Sequence, residues 1–104
     1  MSMQFATYPS LTDRVVLISG GASGIGADMV RAFVANGARV CFLDVQDGPA
    51  EALVRELSGA GRRTPLYLHC DVTDVDALQA SVEDVRAKLG PVAVLVNNAA
   101  DDQR

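Results

Sequence analysis

The chain has 104 residues, 49% of them apolar and 21% charged, with a formal charge of −4 at pH 7 and a pI near 4.7. That length is one small domain or part of one, and the composition excludes a disordered or fibrous chain. The acidic balance, with eight arginines and Lys88 scattered rather than clustered, argues against a general nucleic-acid binder.

Read in order, the chain begins with a polar lead-in over residues 1–12 that lacks the basic start and apolar centre of a signal peptide. A first strand is expected over 14–19, centred on Val15, Val16, Leu17 and Ile18. Gly20, Gly24 and Gly26 then stand before a helix over 24–36 whose inner face carries Ile25, Met29, Val30, Phe33 and Val34, with Gly37 at its C-terminal cap. A second strand follows over 39–44. Pro49 opens a weaker helix over 50–58 with Leu53, Val54 and Leu57, closed by Gly59 and Gly61. A third strand is expected over 65–70. The most regular helix spans 74–89, with Thr73 as N-cap and Val75, Leu78, Val82, Val85 and Leu89 spaced by three and four. Gly90-Pro91 stops it, and 92–97 is a fourth strand around Val94, Leu95 and Val96. No apolar run is long enough to cross a bilayer.

Short apolar strands alternating with helices are the pattern of a parallel sheet covered on both faces, so the fold class is α/β and Rossmann-like. Right-handed crossovers place the first two helices on one face and the third on the other, in strand order 3-2-1-4. The switch point then lies between strands one and four, where ligands bind in such sheets. The glycine turn and the Asn97-Asn98-Ala99-Ala100 segment both leave the sheet at that crevice. A glycine turn at a helix N-terminus presents backbone N–H groups and the positive end of the helix dipole to an anion. Gly20 would allow the sharp turn, Gly24 the close approach of a pyrophosphate, and Gly26 the packing of helix on strand. Asp44 closes the second strand eighteen residues after Gly26. An acid there can accept hydrogen bonds from an adenosine ribose and repel a 2′-phosphate; the plainer alternative is a solvated strand-end aspartate.

These motifs resemble the N-terminal, cofactor-binding half of the short-chain dehydrogenase/reductase family. Ser19-Gly20-Gly21-Ala22-Ser23-Gly24-Ile25-Gly26 is similar to that family's Thr-Gly-x-x-x-Gly-Ile-Gly turn, and Asn97-Asn98-Ala99-Ala100 to its Asn-Asn-Ala-Gly. The departure is Ala100, in place of a glycine on the ribose side of the cofactor. Asp71 and Val72 stand where the resemblance places an acid and an amide against adenine, although Asp71 can equally be a turn-forming acid with Thr73. The resemblance implies a cofactor site built from Gly20, Ser23, Gly24, Ile25, Gly26, Asp44, Asp71, Val72, Asn98, Ala99 and Ala100. It also implies NAD rather than NADP, since NADP users often carry a basic residue at the place of Ser23.

The activity so implied is hydride transfer between nicotinamide and an alcohol or carbonyl substrate, with a tyrosine and a lysine in Tyr-x-x-x-Lys as the acid/base pair. Here Tyr8 and Tyr67 are followed at that spacing by Thr12 and Asp71, so no catalytic residue is assigned and the 104 residues alone are expected to be inactive. Residues 13–104 therefore read as a partial dinucleotide-binding domain, truncated after strand four, of a longer oxidoreductase. A homo-oligomer is expected, with no nucleic-acid or membrane partner. A substrate among the sugars is favoured slightly by Asn-Asn-Ala-Ala-Asp-Asp. The alternative is a stand-alone, non-catalytic dinucleotide-binding or interaction module. His69 and Cys70 face opposite sides of a strand and cannot easily share a metal ion, and two cysteines without export signals fit the cytoplasm.

Overall fold

The computed structural model describes residues 11–59 and 63–98. Strands β1 (Val15–Ser19), β2 (Arg39–Asp44), β3 (Leu66–His69) and β4 (Val94–Asn97) alternate with helices α1 (Gly24–Ala35), α2 (Asp47–Ser58) and α3 (Val75–Leu89). The sheet order is β3-β2-β1-β4, and every pairing is parallel. This is the expected Rossmann-like half-sheet, with the switch point between β1 and β4.

Alternation along the strands divides the core in two. Val16, Ile18, Val40 and Phe42 point to one face and pack on Val30 and Val34 of α1 and on Ala50, Leu53 and Leu57 of α2. Val15, Leu17, Cys41 and Leu43 point to the other and pack on Val85 of α3, with Leu78 and Val82 half-buried beside it. Cys41 and Cys70 are free and buried in this second cluster, and burial pushes the Cys41 thiol up to about 12.

Helix ends follow local chemistry, with some departures from the sequence reading. After α1 the Gly37 amide donates to Val34 O and the Ala38 amide to Phe33 O, a Schellman closure. Helix α2 starts at Asp47 rather than at residue 50, because Pro49 in a first turn forfeits no hydrogen bond and leaves two earlier residues free to be helical. The N-cap of α3 is Asp74, not Thr73: Asp74 Oδ1 accepts from the Ala77 amide at 3.1 Å, while the Thr73 hydroxyl donates to Asp71. Strands three and four are shorter than expected by residues 65, 70, 92 and 93. Ile25 and Val75, each expected on an inner helical face, are 71% and 63% exposed, both in the first turn of their helix. Tyr8, Gly61, Ala99, Ala100, Asp101, Asp102 and Arg104 lie outside the described residues.

Candidate functional site

The chain leaves β1 through Gly20, whose amide donates to Leu43 O at 2.7 Å. Gly20 and Gly24 have φ of 71° and 59°, the left-handed region in which an L side chain is strained. A Cβ on Gly24 would meet nothing within 4 Å, so the turn has open space above it. Gly26 is the opposite case: a Cβ there would stand 1.8 Å from Gly20 O and 2.7 Å from Asn98 Nδ2. Only a hydrogen lets α1 lie against the turn. Gly21 is a further constraint that the sequence reading passed over, since its Cβ would come within 2.6 Å of Phe42 Cβ.

Strand β4 is tied to the turn by side chains. The buried Ser19 hydroxyl donates to Asn97 Oδ1 and accepts from the Asn98 amide, each at 3.0 Å. Asn98 Nδ2 donates to Gly20 O at 3.1 Å. Asn98 thus fixes the same carbonyl that excludes a Cβ from Gly26, which explains its place beyond any contact with a ligand.

Strand β2 delivers Asp44 to the other lip of the turn. Asp44 Oδ2 accepts from the Ala22 amide at 3.0 Å, and Oδ1 from the amides of Val45 and Gln46 at 2.7 and 3.1 Å. It is half-buried and bonded, not a free solvated aspartate. Ser23 is the N-cap of α1 but makes no side-chain cap; its Oγ accepts from Gln46 Nε2 at 3.4 Å. The first turn of α1 is therefore not capped by its own N-cap side chain, and Ile25 is exposed beside it.

The structure brings Gly20, Ser23, Gly24, Gly26, Asp44 and Asn98 together. Asp71 is engaged elsewhere: its Oδ1 accepts from the Thr73 hydroxyl at 2.7 Å and the Thr73 amide at 2.9 Å. Those two bonds, the hydroxyl's first, hold its carboxyl below the usual carboxylate range. Val72 lines an apolar groove of about 380 Å³ with Leu17, Leu43, Leu78, Val82 and Leu95, opening toward Ser19 and Asn97.

A cluster that the sequence reading missed lies behind Asp44. Tyr67 Oη is 2.5 Å from Asp47 Oδ1 and 3.0 Å from Asp44 O, and His69 Nδ1 is 2.8 Å from the same Asp47 oxygen. The Tyr67 hydroxyl first, and then His69, hold the Asp47 carboxyl below its ordinary range. Burial and then the Asp47 carboxylate push the Tyr67 phenol up. The available signal was the two-residue spacing of Tyr67 and His69, which puts both on one face of β3. Among the described residues, no group of three or more His, Cys, Asp or Glu is placed to hold a metal ion. No described helix is long and apolar enough to cross a membrane.

The short chain dehydrogenase family model matches residues 14–103. Over 104 residues the chain is 42% identical to the "Probable galactose dehydrogenase GalD" of Rhizobium meliloti, covering 100% of this chain and 41% of that protein. It is 45% identical over 102 residues to D-xylose 1-dehydrogenase of Caulobacter vibrioides, covering 98% and 39%. Among solved structures, 2-keto-3-deoxy-D-gluconate dehydrogenase from Streptococcus agalactiae matches with a TM-score of 0.81 at 30% identity, over 93% of this chain and 36% of that one. A metagenomic short-chain oxidoreductase in complex with NADP also gives 0.81, at 35% identity, over 88% and 41%. The chain spans about two fifths of the length of the curated relatives it matches. Because the family match covers residues 14–103 and with them all four strands, the chain belongs to the short-chain dehydrogenase family, oxidoreductases that bind a nicotinamide dinucleotide.

Proposed function

We propose that this chain is the cofactor-binding part of a longer NAD-dependent dehydrogenase that exchanges a hydride with an alcohol or carbonyl group. One observation carries the choice of cofactor: the Asp44 carboxylate is held at the lip of the glycine turn by the Ala22, Val45 and Gln46 amides. A carboxylate so placed has lone pairs left for ribose hydroxyls and repels a 2′-phosphate. The family as such does not decide, since the metagenomic oxidoreductase is in complex with NADP.

The residues present fit the group. The open space over Gly24 and the uncapped first turn of α1 suit a pyrophosphate, with Gly20, Ser23, Ile25 and Gly26 shaping the turn. Asp44 takes the adenosine ribose. The Asp71 carboxylate and the Val72 amide would border the adenine, and Asn98 would lead from the glycine turn toward the nicotinamide; Ala99 and Ala100, assigned to the cofactor by resemblance, lie outside the described residues. When bound, NAD supplies the hydride acceptor, and the alcohol that gives up a hydride and a proton becomes a carbonyl. This chain's own residues bind and orient; without a Tyr-x-x-x-Lys they supply no acid/base pair, so the 104 residues alone do not turn over substrate. A sugar is the favoured substrate class, because the two relatives named above are dehydrogenases of galactose and xylose. The buried, free thiols fit a reducing cytoplasm, and the exposed Leu95 on β4 fits burial within a larger subunit or oligomer.

Calorimetric titration of the complete gene product with NAD and NADP tests this reading. Binding of NAD at least about tenfold tighter than NADP is expected, with the ratio collapsing in Asp44→Ala; that corresponds to one strong charge contact. Tighter binding of NADP, or of neither by folded protein, overturns it. Reduction of NAD in the presence of galactose or xylose then tests the substrate class.

A further inference from the structure

The turn from β2 into α2 carries the carboxylate on which the choice of cofactor rests, and it is gripped from two sides. Toward the glycine turn, the grip is the bond from the Ala22 amide to Asp44. Away from it, the grip is Tyr67. Its hydroxyl stands between the Asp44 carbonyl oxygen at 3.0 Å and Asp47 Oδ1 at 2.5 Å, so it reaches both ends of the four-residue turn. A hydroxyl has one proton, and the nearer, charged acceptor takes it. The Asp44 carbonyl also accepts from the Cys70 amide at 3.0 Å, which seats the end of β2 on the chain that follows β3.

The Tyr67 ring is itself held in place. Its centroid is 5.3 Å from that of Phe42, which is fully buried, and Phe42 in turn packs so closely on Gly21 that no Cβ fits there. Glycine turn, Phe42, Tyr67 and Asp47 form one packed path around Asp44. Asp47 is the first residue of α2, where the helix dipole favours a carboxylate, and His69 shares the same Oδ1 at 2.8 Å. Phe42, Tyr67 and Asp47 are not among the cofactor-binding positions assigned above, so their effect on a ligand passes through Asp44.

We propose that Tyr67 is a positioning residue for cofactor choice: anchored on Asp47, its hydroxyl fixes the β2–α2 turn so that the Asp44 carboxylate faces the glycine turn. It thereby sets the preference for a dinucleotide with a free ribose 2′-hydroxyl over one with a 2′-phosphate. This inference rests on the reading of Asp44 as the ribose-binding acid. A turn released from Tyr67 lets the carboxylate swing away, which weakens NAD and at the same time relieves the repulsion of NADP. A residue that only stabilised the fold would weaken both dinucleotides together.

The test is calorimetric titration of the complete gene product and its Tyr67→Phe and Asp47→Asn variants with NAD and with NADP. Tyr67→Phe keeps the ring on Phe42, and Asp47→Asn keeps the shape of the acceptor, so both preserve the packing. A loss of about fivefold in NAD affinity, the worth of one hydrogen bond, with NADP affinity unchanged or higher is expected for each. NAD and NADP affinities that fall in parallel, or do not move, while the unsubstituted protein prefers NAD, overturn the inference alone. Failure of the unsubstituted protein to prefer NAD overturns the reading of Asp44 and this inference with it.

Discussion

The two faces of the sheet are built from the same strands and yet finished differently. On the face of α1 and α2, the strand residues Val16, Ile18 and Phe42 have no exposed surface, and six helix positions, among them Val30, Val34 and Leu53, are buried in the same cluster. On the face of α3, a fifteen-residue helix buries only Ser81 and Val85, and an apolar groove of about 380 Å³ runs beside it to Leu95, which is 67% exposed. The glycine turn lies where the closed face meets the switch point, and the closed face is what shapes it, through Phe42 against Gly21 and α1 against Gly20. The lesson is that close packing here is concentrated behind the glycine turn.

Substitutions on each face can break or sharpen that contrast. Phe42→Ala, which empties the centre of the closed face, should cost about 3–5 kcal/mol in urea unfolding. Gly26→Ala should cost about 3 kcal/mol and abolish NAD binding in calorimetry, because its Cβ collides with the backbone carbonyl of Gly20 rather than with a movable side chain. Val85→Ala, under the open face, should cost about 2 kcal/mol, as one of the few α3 side chains without exposed surface. Leu95→Ala should change stability by less than about 0.5 kcal/mol, since its side chain is already in water. A Leu95 effect as large as that of Val85 would show the groove to be covered in solution.

The smallest effect concerns pH. The hydroxyl of Tyr67 lowers the Asp47 carboxyl from its ordinary 3.8, with His69 assisting, so the folded state favours the charged form. The stability this contributes is present above that ordinary value and is lost as the pH falls through the lowered one. Thermal melts of the protein and of Asp47→Asn should therefore differ near neutrality and converge at the acid end of the scale. A constant difference at every pH would place the effect of Asp47 in packing instead of charge.

Much of the fold was legible because parallel strands announce themselves. Val15, Val16, Leu17 and Ile18 form an uninterrupted apolar run, as a strand buried on both faces requires, and strand order follows from crossover handedness. The limits of β2 match the reading at both ends. The first turns of helices were less legible. Ile25 and Val75 fit the helical period but are exposed in first turns, and periodicity does not say where a neighbouring layer ends. Thr73 and Asp74 are both good caps, and only the prior engagement of Thr73 by Asp71 decides between them. At the site, spacing alone marked Gly20, Gly24 and Gly26, because backbone needs are written directly in glycine. The bond from the Ala22 amide to Asp44 and the bonds of Tyr67 and His69 to Asp47 were not legible, since each joins residues twenty or more positions apart through side-chain orientation.

The bond from the Asn98 amide to the Ser19 hydroxyl spans 79 positions of sequence. It sets an order of events as well as a shape. A nascent chain can make the glycine turn's local bends early, and the Gly20 bond to Leu43 O once β2 is present, but the bonds from Asn98 to Ser19 and Gly20 wait until the fourth strand has found the first. Closing so long a loop is an entropic barrier crossed late in folding, and pairing of this range slows folding generally. The turn therefore takes its full set of contacts later than it takes its bends, and a ribosome-bound chain halted before Asn98 would carry the glycine motif without the two Asn98 bonds.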